Sequence, residues 1–142
     1  MLNKSANEWV RNMKIMVCYD GSAEAKKALK LSIKRAQSTN AEVYLINSMT
    51  GGRKVPRQDF INAERDLRRA QRLFDNEKTY CEPKLLVRGL SPGEDLVQFA
   101  GENKVDEIVI GIKRRSKVGK FLFGYTAQYV ILHASCPVFT VS

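Results

Sequence analysis

Residues 105–126 read VDEIVIGIKRRSKVGKFLFGYT: a β-branched run, a basic loop and the opening of a helical pattern. Valines and isoleucines ending in Gly111 predict a buried strand that runs out into a loop. The loop carries Lys113, Arg114, Arg115, Lys117 and Lys120, with glycines at 111, 119 and 124. A helix is expected to start near Gly124. Strand, glycine-containing basic loop and helix N-terminus together make a cradle for phosphate. Backbone N–H groups and the helix dipole favour an anion there, and glycine lets the backbone come close to it.

Two common phosphate motifs are excluded by spacing. A P-loop needs four residues between its first glycine and the Gly-Lys-Ser/Thr, whereas seven separate Gly111 from Gly119-Lys120, and Phe121 follows. A dinucleotide fingerprint needs a second glycine two positions after the first, where Lys113 stands.

Working outward, apolar runs alternate with amphipathic ones. Met13 to Tyr19 predicts a strand ended by Asp20-Gly21, and Ser22 is a good N-cap for a helix with Ala25, Ala28, Leu29, Ile33 and Ala36 on one stripe. Lys26, Lys27, Lys30, Lys34 and Arg35 fall largely outside that stripe. Residues 41–48 predict a second strand, and residues 49–58, with Gly51, Gly52 and Pro56, a loop. A long helix follows on Phe60, Ala63, Leu67, Ala70 and Phe74. Its run of Arg65, Arg68, Arg69 and Arg72 is offset by Glu64, Asp66 and Asp75 and is read as a solvated face. Residues 83–88 predict a third strand. Ser91-Pro92-Gly93-Glu94 predicts a helix start with a capping box, and Leu96, Val97 and Ala100 its buried stripe. Residues 107–110 form the fourth strand. Residues 126–134 form a helix with Ala127, Val130 and Ile131 inward, and residues 138–141 the last strand. Residues 1–12 are read as an extension ahead of a domain over 13–142. Alternation of this kind implies right-handed crossovers and a mostly parallel sheet covered on both faces.

Composition narrows the function classes. A chain of 142 residues with 44% hydrophobic and 27% charged residues suits one globular domain. No apolar run approaches a membrane span, and the first residues lack a signal-peptide core, so a cytoplasmic protein without membrane contact is expected. The three cysteines, Cys18, Cys81 and Cys136, have neither zinc nor disulfide-framework spacing. They are read as reduced thiols, with Cys18 and Cys136 as buried packing residues. The net charge of +9 suits nucleotide phosphates, nucleic acid or an anionic surface. Aromatics are few in the basic loop, so nucleic acid is the less favoured partner. His133, the sole histidine, sits where a cation suits a helix C-terminus, with no catalytic or metal role expected. No nucleophile–base pair and no Walker lysine appear, so at most slow hydrolysis is expected.

The loop resembles the nucleotide loop of the universal stress protein family, whose ATP-binding members carry Gly, two residues, Gly, nine residues, then Gly-Ser/Thr. Gly111 and Gly124 fill the first and third glycines with the total spacing intact. Arg114 stands at the second and Tyr125 at the Ser/Thr. The resemblance runs from residue 13 to residue 142, including Val17-Cys18-Tyr19-Asp20-Gly21-Ser22 near the start and Cys136-Pro137-Val138-Phe139-Thr140-Val141 at the end. It implies a three-layer α/β/α sandwich around a five-stranded parallel doubly wound sheet of order 3-2-1-4-5. It also implies ATP or AMP as ligand, with magnesium or manganese on the phosphates, and a stress-response role. The implied nucleotide site comprises Cys18, Asp20, Ser48, Gly111, Lys113, Arg114, Gly124, Tyr125 and Thr126, with Asp20 near ribose and phosphates and adenine against the second strand.

In such a sheet ligands sit where the winding reverses, between the first and fourth strands, which puts Asp20 across a crevice from Gly111. Against these roles stand plainer ones: Asp20 in an Asx turn, Ser48 and Asn47 as a strand terminus. Gly111 is expected to serve close ligand approach or positive φ. Arg114 is tolerable because a guanidinium binds phosphate bidentately. Tyr125 is the damaging departure, since a phenol carries its oxygen too far out to replace a small hydroxyl, and Thr126 compensates in part. The alternative is therefore a family member that has lost its nucleotide and works as an interaction scaffold. The last strand, 138–141, is apolar and uncovered, and a homodimer through it is expected.

Overall fold

The computed structural model describes residues 12–113 and 124–142. The extension expected over 1–12, all but Asn12, and the basic loop from Arg114 to Phe123 lie outside the described residues. Nine elements alternate: β1 (Lys14–Cys18), α1 (Ala23–Thr39), β2 (Glu42–Ser48), α2 (Arg57–Asn76), β3 (Cys81–Leu86), α3 (Pro92–Glu102), β4 (Glu107–Gly111), α4 (Tyr125–His133) and β5 (Val138–Val141). The sheet has five strands in the order β3-β2-β1-β4-β5, and every pairing is parallel, as the sequence implied.

Period-two alternation along the central strands builds two cores. Ile15, Val17 and Tyr19 turn to one face, where they meet Ala28, Leu29 and Ile33 of α1 and Leu67, Ala70 and Phe74 of α2. Met16 and Cys18 turn to the other, against Leu96 and Phe99 of α3 and Ala127 and Val130 of α4. Because β1 is buried on both faces, it reads as an unbroken apolar run rather than an alternating one.

Where β1 ends, Gly21 takes φ +82° to turn the chain. Ser22 then caps α1, its Oγ accepting from the Ala25 N–H at 3.1 Å. The helix runs to Thr39, and Asn40 stops it in the left-handed region, its N–H returning to the Ala36 carbonyl.

Several expectations are corrected. The third strand lies two residues earlier than expected. Its ladder with β2 pairs Val43 with Cys81 and stops with Ser48 opposite Leu86, so Val87 and Arg88 have no strand to pair with. Phe99, absent from the expected stripe, is buried with Leu96 and Ala100 and packs edge-on against Tyr44 with ring centroids 5.3 Å apart, while Val97 is only partly buried against the same core. Ile131 lies off the α4 stripe of Ala127 and Val130 and is exposed. Ser91 occupies the N-cap of α3, but its side chain makes no capping bond, and Glu94 is solvent-facing. Arg35, outside the apolar stripe of α1, is partly exposed and its guanidinium holds buried Glu107 of β4 through Nε at 2.7 Å and Nη2 at 2.6 Å. Cys81 is buried and Cys136 only half-buried, and all three thiols are free.

Candidate functional site

Parallel strands deliver their carboxyl ends, and the N-termini of the helices that follow, to one edge of the sheet. Between the ends of β1 and β4 this edge opens into a cavity of ≈ 380 Å³, within the roughly 300–1,000 Å³ usual for small-molecule sites. Cys18, Ile46, Leu96, Ile110 and Ala127 give it an apolar interior. Asp20, Ser22, Asn47, Lys113 and Thr126 give it a polar rim. Eight of the nine residues singled out from the sequence (Cys18, Asp20, Ser48, Gly111, Lys113, Gly124, Tyr125 and Thr126) line this one cavity. The ninth, Arg114, lies outside the described residues.

Asp20 combines two alternatives posed by the sequence. Its Oδ1 accepts from the Ser22 N–H at 3.0 Å, making the Asx turn, and the exposed carboxylate also borders the cavity. Cys18 lines the inner wall as a neutral thiol: burial, reinforced by the nearby Asp20 and Cys136, pushes its pKa up to about 12. It is a packing group, not a nucleophile.

Gly111 lines the cavity but does not need positive φ, and it has a third, tertiary reason to be glycine. Its φ is not in the left-handed region, and a Cβ there would stand 2.4 Å from the carbonyl carbon and oxygen of Glu24 and 2.8 Å from the Ala25 nitrogen. The glycine lets the first turn of α1 lie against the end of β4. Its importance to the cavity is to bring the α1 N-terminus to the rim.

Gly124 is the N-cap of α4 and has no side chain with which to cap it. Gly124, Tyr125 and Thr126 line the cavity, so the N-terminal turn of α4 stands at it with no side-chain cap from Gly124, an arrangement that favours an anion. Tyr125 begins the helix and is 71% exposed at the rim of the cavity.

Two functional candidates escaped sequence reasoning. Asp95 is fully buried, accepting from Ser48 Oγ at 2.7 Å through Oδ2 and from Arg88 Nε at 2.6 Å through Oδ1. Arg88 also donates to Glu102 at 2.8 Å, and its hydrogen bonds to these two carboxylates, Asp95 foremost, hold its pKa above the ordinary guanidinium value. The available signal was spacing: Asp95 lies four residues before Phe99, on the helix face that packs inward. Among the described residues no cluster of three or more His, Cys, Asp or Glu side chains could hold a metal ion. None of the described helices is long and apolar enough to cross a membrane. His133 stacks on Tyr129 with centroids 4.0 Å apart and points Nδ1 at the Tyr129 carbonyl, away from the cavity residues.

A doubly wound parallel sheet with a cavity at its switch point and helix N-termini around the rim defines a class of α/β small-molecule-binding domains. The sequence profile of the universal stress protein family matches residues 11–142, and the chain belongs to that family. It is 29% identical over 133 residues to a universal stress protein of Thermus aquaticus, covering 89% of this chain and 96% of that one. A solved universal stress protein of Archaeoglobus fulgidus superimposes with a TM-score of 0.84 at 33% identity, over 99% of this chain and 100% of its own. A universal stress protein structure from that organism, in complex with dAMP, superimposes with a TM-score of 0.81 at 34% identity, over 94% and 100%.

Proposed function

We propose that this chain is an adenine-nucleotide-binding regulator that binds ATP or AMP in the cavity between β1 and β4 and acts in the cytoplasm in the response to stress. The observation that carries the reading is the convergence of an apolar slot, an acidic residue at the end of β1 and an uncapped helix N-terminus on one cavity. The relative that binds dAMP, 34% identical and alike over its whole length, supports the same ligand class.

In this reading the base lies in the apolar slot beside β2 and Ser48, and Asp20 faces the ribose. Gly111, Lys113, Arg114 and the N-terminal turn of α4, from Gly124 to Thr126, hold the phosphates. A magnesium or manganese ion would be held chiefly by phosphate oxygens, with Asp20 as the protein's contribution. In this reading the nucleotide serves as a signal rather than as a substrate for rapid turnover. It biases the domain between two states for which it has different affinities.

Tyr125 favours a second reading, a scaffold that has lost its nucleotide, because the position offers no small hydroxyl to a phosphate. Mass spectrometry of ligand released from denatured protein, followed by calorimetric titration with ATP and AMP, separates the two. Tyr125→Ser is expected to bind roughly tenfold more tightly than the wild type, the gain of one charge-assisted hydrogen bond. If both proteins ignore both nucleotides at millimolar concentration, the scaffold reading holds.

A homodimer through β5 is part of the proposal. At the other edge of the sheet Pro83 interrupts the row of donors in β3, and Lys84 and Glu82 add charge, features that discourage pairing. The β5 edge carries Val138, Phe139 and Val141, half-buried and free of such devices. Light scattering is expected to give a dimer for the wild type and a monomer for Thr140→Pro. A monodisperse wild-type monomer at micromolar concentration would exclude this interface.

A further inference from the structure

We propose that the outer face of the α1–α2 layer binds the phosphate backbone of duplex DNA without reading its sequence. The proposal is independent of the nucleotide cavity and of the basic loop after β4. Its starting point is which layer holds the charge. α1 carries Lys26, Lys27, Lys30, Lys34 and Arg35 against Glu24 alone, and α2 carries five arginines against four carboxylates. Across the sheet the balance reverses: α3 carries Glu94, Asp95 and Glu102, and neither α3 nor α4 has a lysine or arginine.

Two contacts fix how the basic helices lie. Just ahead of α1, Gly21 packs against Asp66 of α2, whose Oδ2 would stand 2.7 Å from a Cβ there. Near the end of α1, Gln37 Nε2 donates to the Glu77 carbonyl, just past α2, at 3.2 Å. The helices therefore run side by side in one direction over a shared core. Gln37 marks the flank of α1 that borders α2, and helical spacing puts Lys26, Lys30 and Lys34 in its row. On α2, Arg69 stands one turn from Asp66 on the facing flank, with Arg65 and Arg72 beside it. All six are exposed, and among the described residues none of them forms an ion pair.

In sequence these arginines look offset by Glu64, Asp66 and Asp75. In space the carboxylates lie elsewhere. Glu64 is 4.0 Å from Arg68, on the flank of α2 turned away from α1. Asp66 sits against Gly21, at the positive end of the α1 dipole. Asp75 lies near Cys81 of β3, whose thiol pKa burial, and then this carboxylate, push up to about 12. Glu24 and Asp59 occupy the first turns of their helices, ahead of the cationic rows.

The density of charge suits a duplex. Lysines four residues apart are about 6 Å apart along the helix, so the two rows span roughly 12 Å and hold one cation per ~2 Å. Duplex DNA carries one phosphate per roughly 1.7 Å of its axis. A single strand calls for aromatic side chains on which bases stack, and neither row contains one. A lipid surface calls for an apolar helix face to insert, and that of α2 is already buried in the core. Lysines and arginines on two helix flanks reach phosphates rather than base edges, so binding is independent of sequence.

Fluorescence anisotropy of a short labelled duplex of mixed sequence, titrated with the full chain between about 50 and 200 mM salt, tests this. The logarithm of the association constant should fall against the logarithm of salt with a slope of about −5, the value for six phosphates. A second sequence should bind within about twofold. The triple variant Arg65→Ala, Arg69→Ala, Arg72→Ala should flatten the slope by about 3 and weaken binding more than about tenfold. Lys26→Ala, Lys30→Ala, Lys34→Ala should do the same from the other helix. Alanine at exposed helical positions preserves the helix, which circular dichroism checks. Removing equal charge from the basic loop, Arg115→Ala, Lys117→Ala, Lys120→Ala, should change the slope by less than about 1.

A wild type that binds no duplex at about 100 μM protein in the lowest salt overturns the proposal. So does binding that the loop variant loses and both helix variants keep. Capture by anionic vesicles without capture of DNA would assign the face to a lipid surface instead. Calorimetry with ATP and AMP reads the cavity separately, so failure of either proposal leaves the other standing.

Discussion

Gly111→Ala is expected to cost about 3 kcal/mol of unfolding free energy, at the upper end of ordinary overpacking penalties. The added methyl would sit 2.4 Å from the Glu24 carbonyl group and 2.8 Å from the Ala25 nitrogen. These are main-chain atoms, so no side-chain rotation relieves the clash. Either β4 or the first turn of α1 must move. The Ser22 cap and the Asp20 turn that precede this turn move with it, and both border the cavity. Nucleotide affinity should therefore fall by more than about tenfold, through displacement of the rim rather than loss of a ligand contact. Urea unfolding gives the first number and calorimetry the second. A variant as stable as wild type, with affinity alone reduced, would return Gly111 to the role of a phosphate-approach residue.

Arg35→Met is expected to cost about 3 kcal/mol, the lower end of the range for breaking a buried ion pair, because Arg35 itself retains some solvent contact. Its side chain is 29% exposed against 8% for Glu107, so the charge left behind is the more buried of the two. The guanidinium also lies 3.9 Å over the Phe139 ring, tying α1 to both β4 and the edge strand β5. Hydrogen exchange should therefore quicken first at the β5 amides. Adding Glu107→Gln to Arg35→Met should recover most of the loss, since a neutral amide tolerates burial better than an unpaired carboxylate. Equal stability of the single and double variants would mean that the pair is screened by solvent and contributes little.

Much of the fold was legible because its signals are local. The alternation of Val- and Ile-rich runs with i, i+3, i+4 stripes placed every element, and right-handed crossovers made the sheet parallel. The first helix start followed from Ser22, whose capping bond lies three residues from its acceptor. The errors came where a partner distant in sequence decided the outcome. Strand β3 shifted because β2 sets where its ladder ends. Arg35 and Glu107, separated by 72 positions, carry no local sign that they pair. Phe99 joined the α3 stripe because its ring packs on Tyr44 of β2, a contact the helix's own spacing does not show.

The sequence by itself determined the order of elements, the parallel sheet, and the edge at which a ligand site must open, since these depend on periodicity, turn residues and chirality. Only the tertiary structure decided that Gly111 is demanded by the approach of α1, that a buried carboxylate stands behind Ser48, and that Tyr125 stands exposed at the rim. Each of those outcomes depends on the contact of side chains and backbone from segments far apart in the chain. Distance in space between such segments is fixed by packing, which no local pattern of residues encodes.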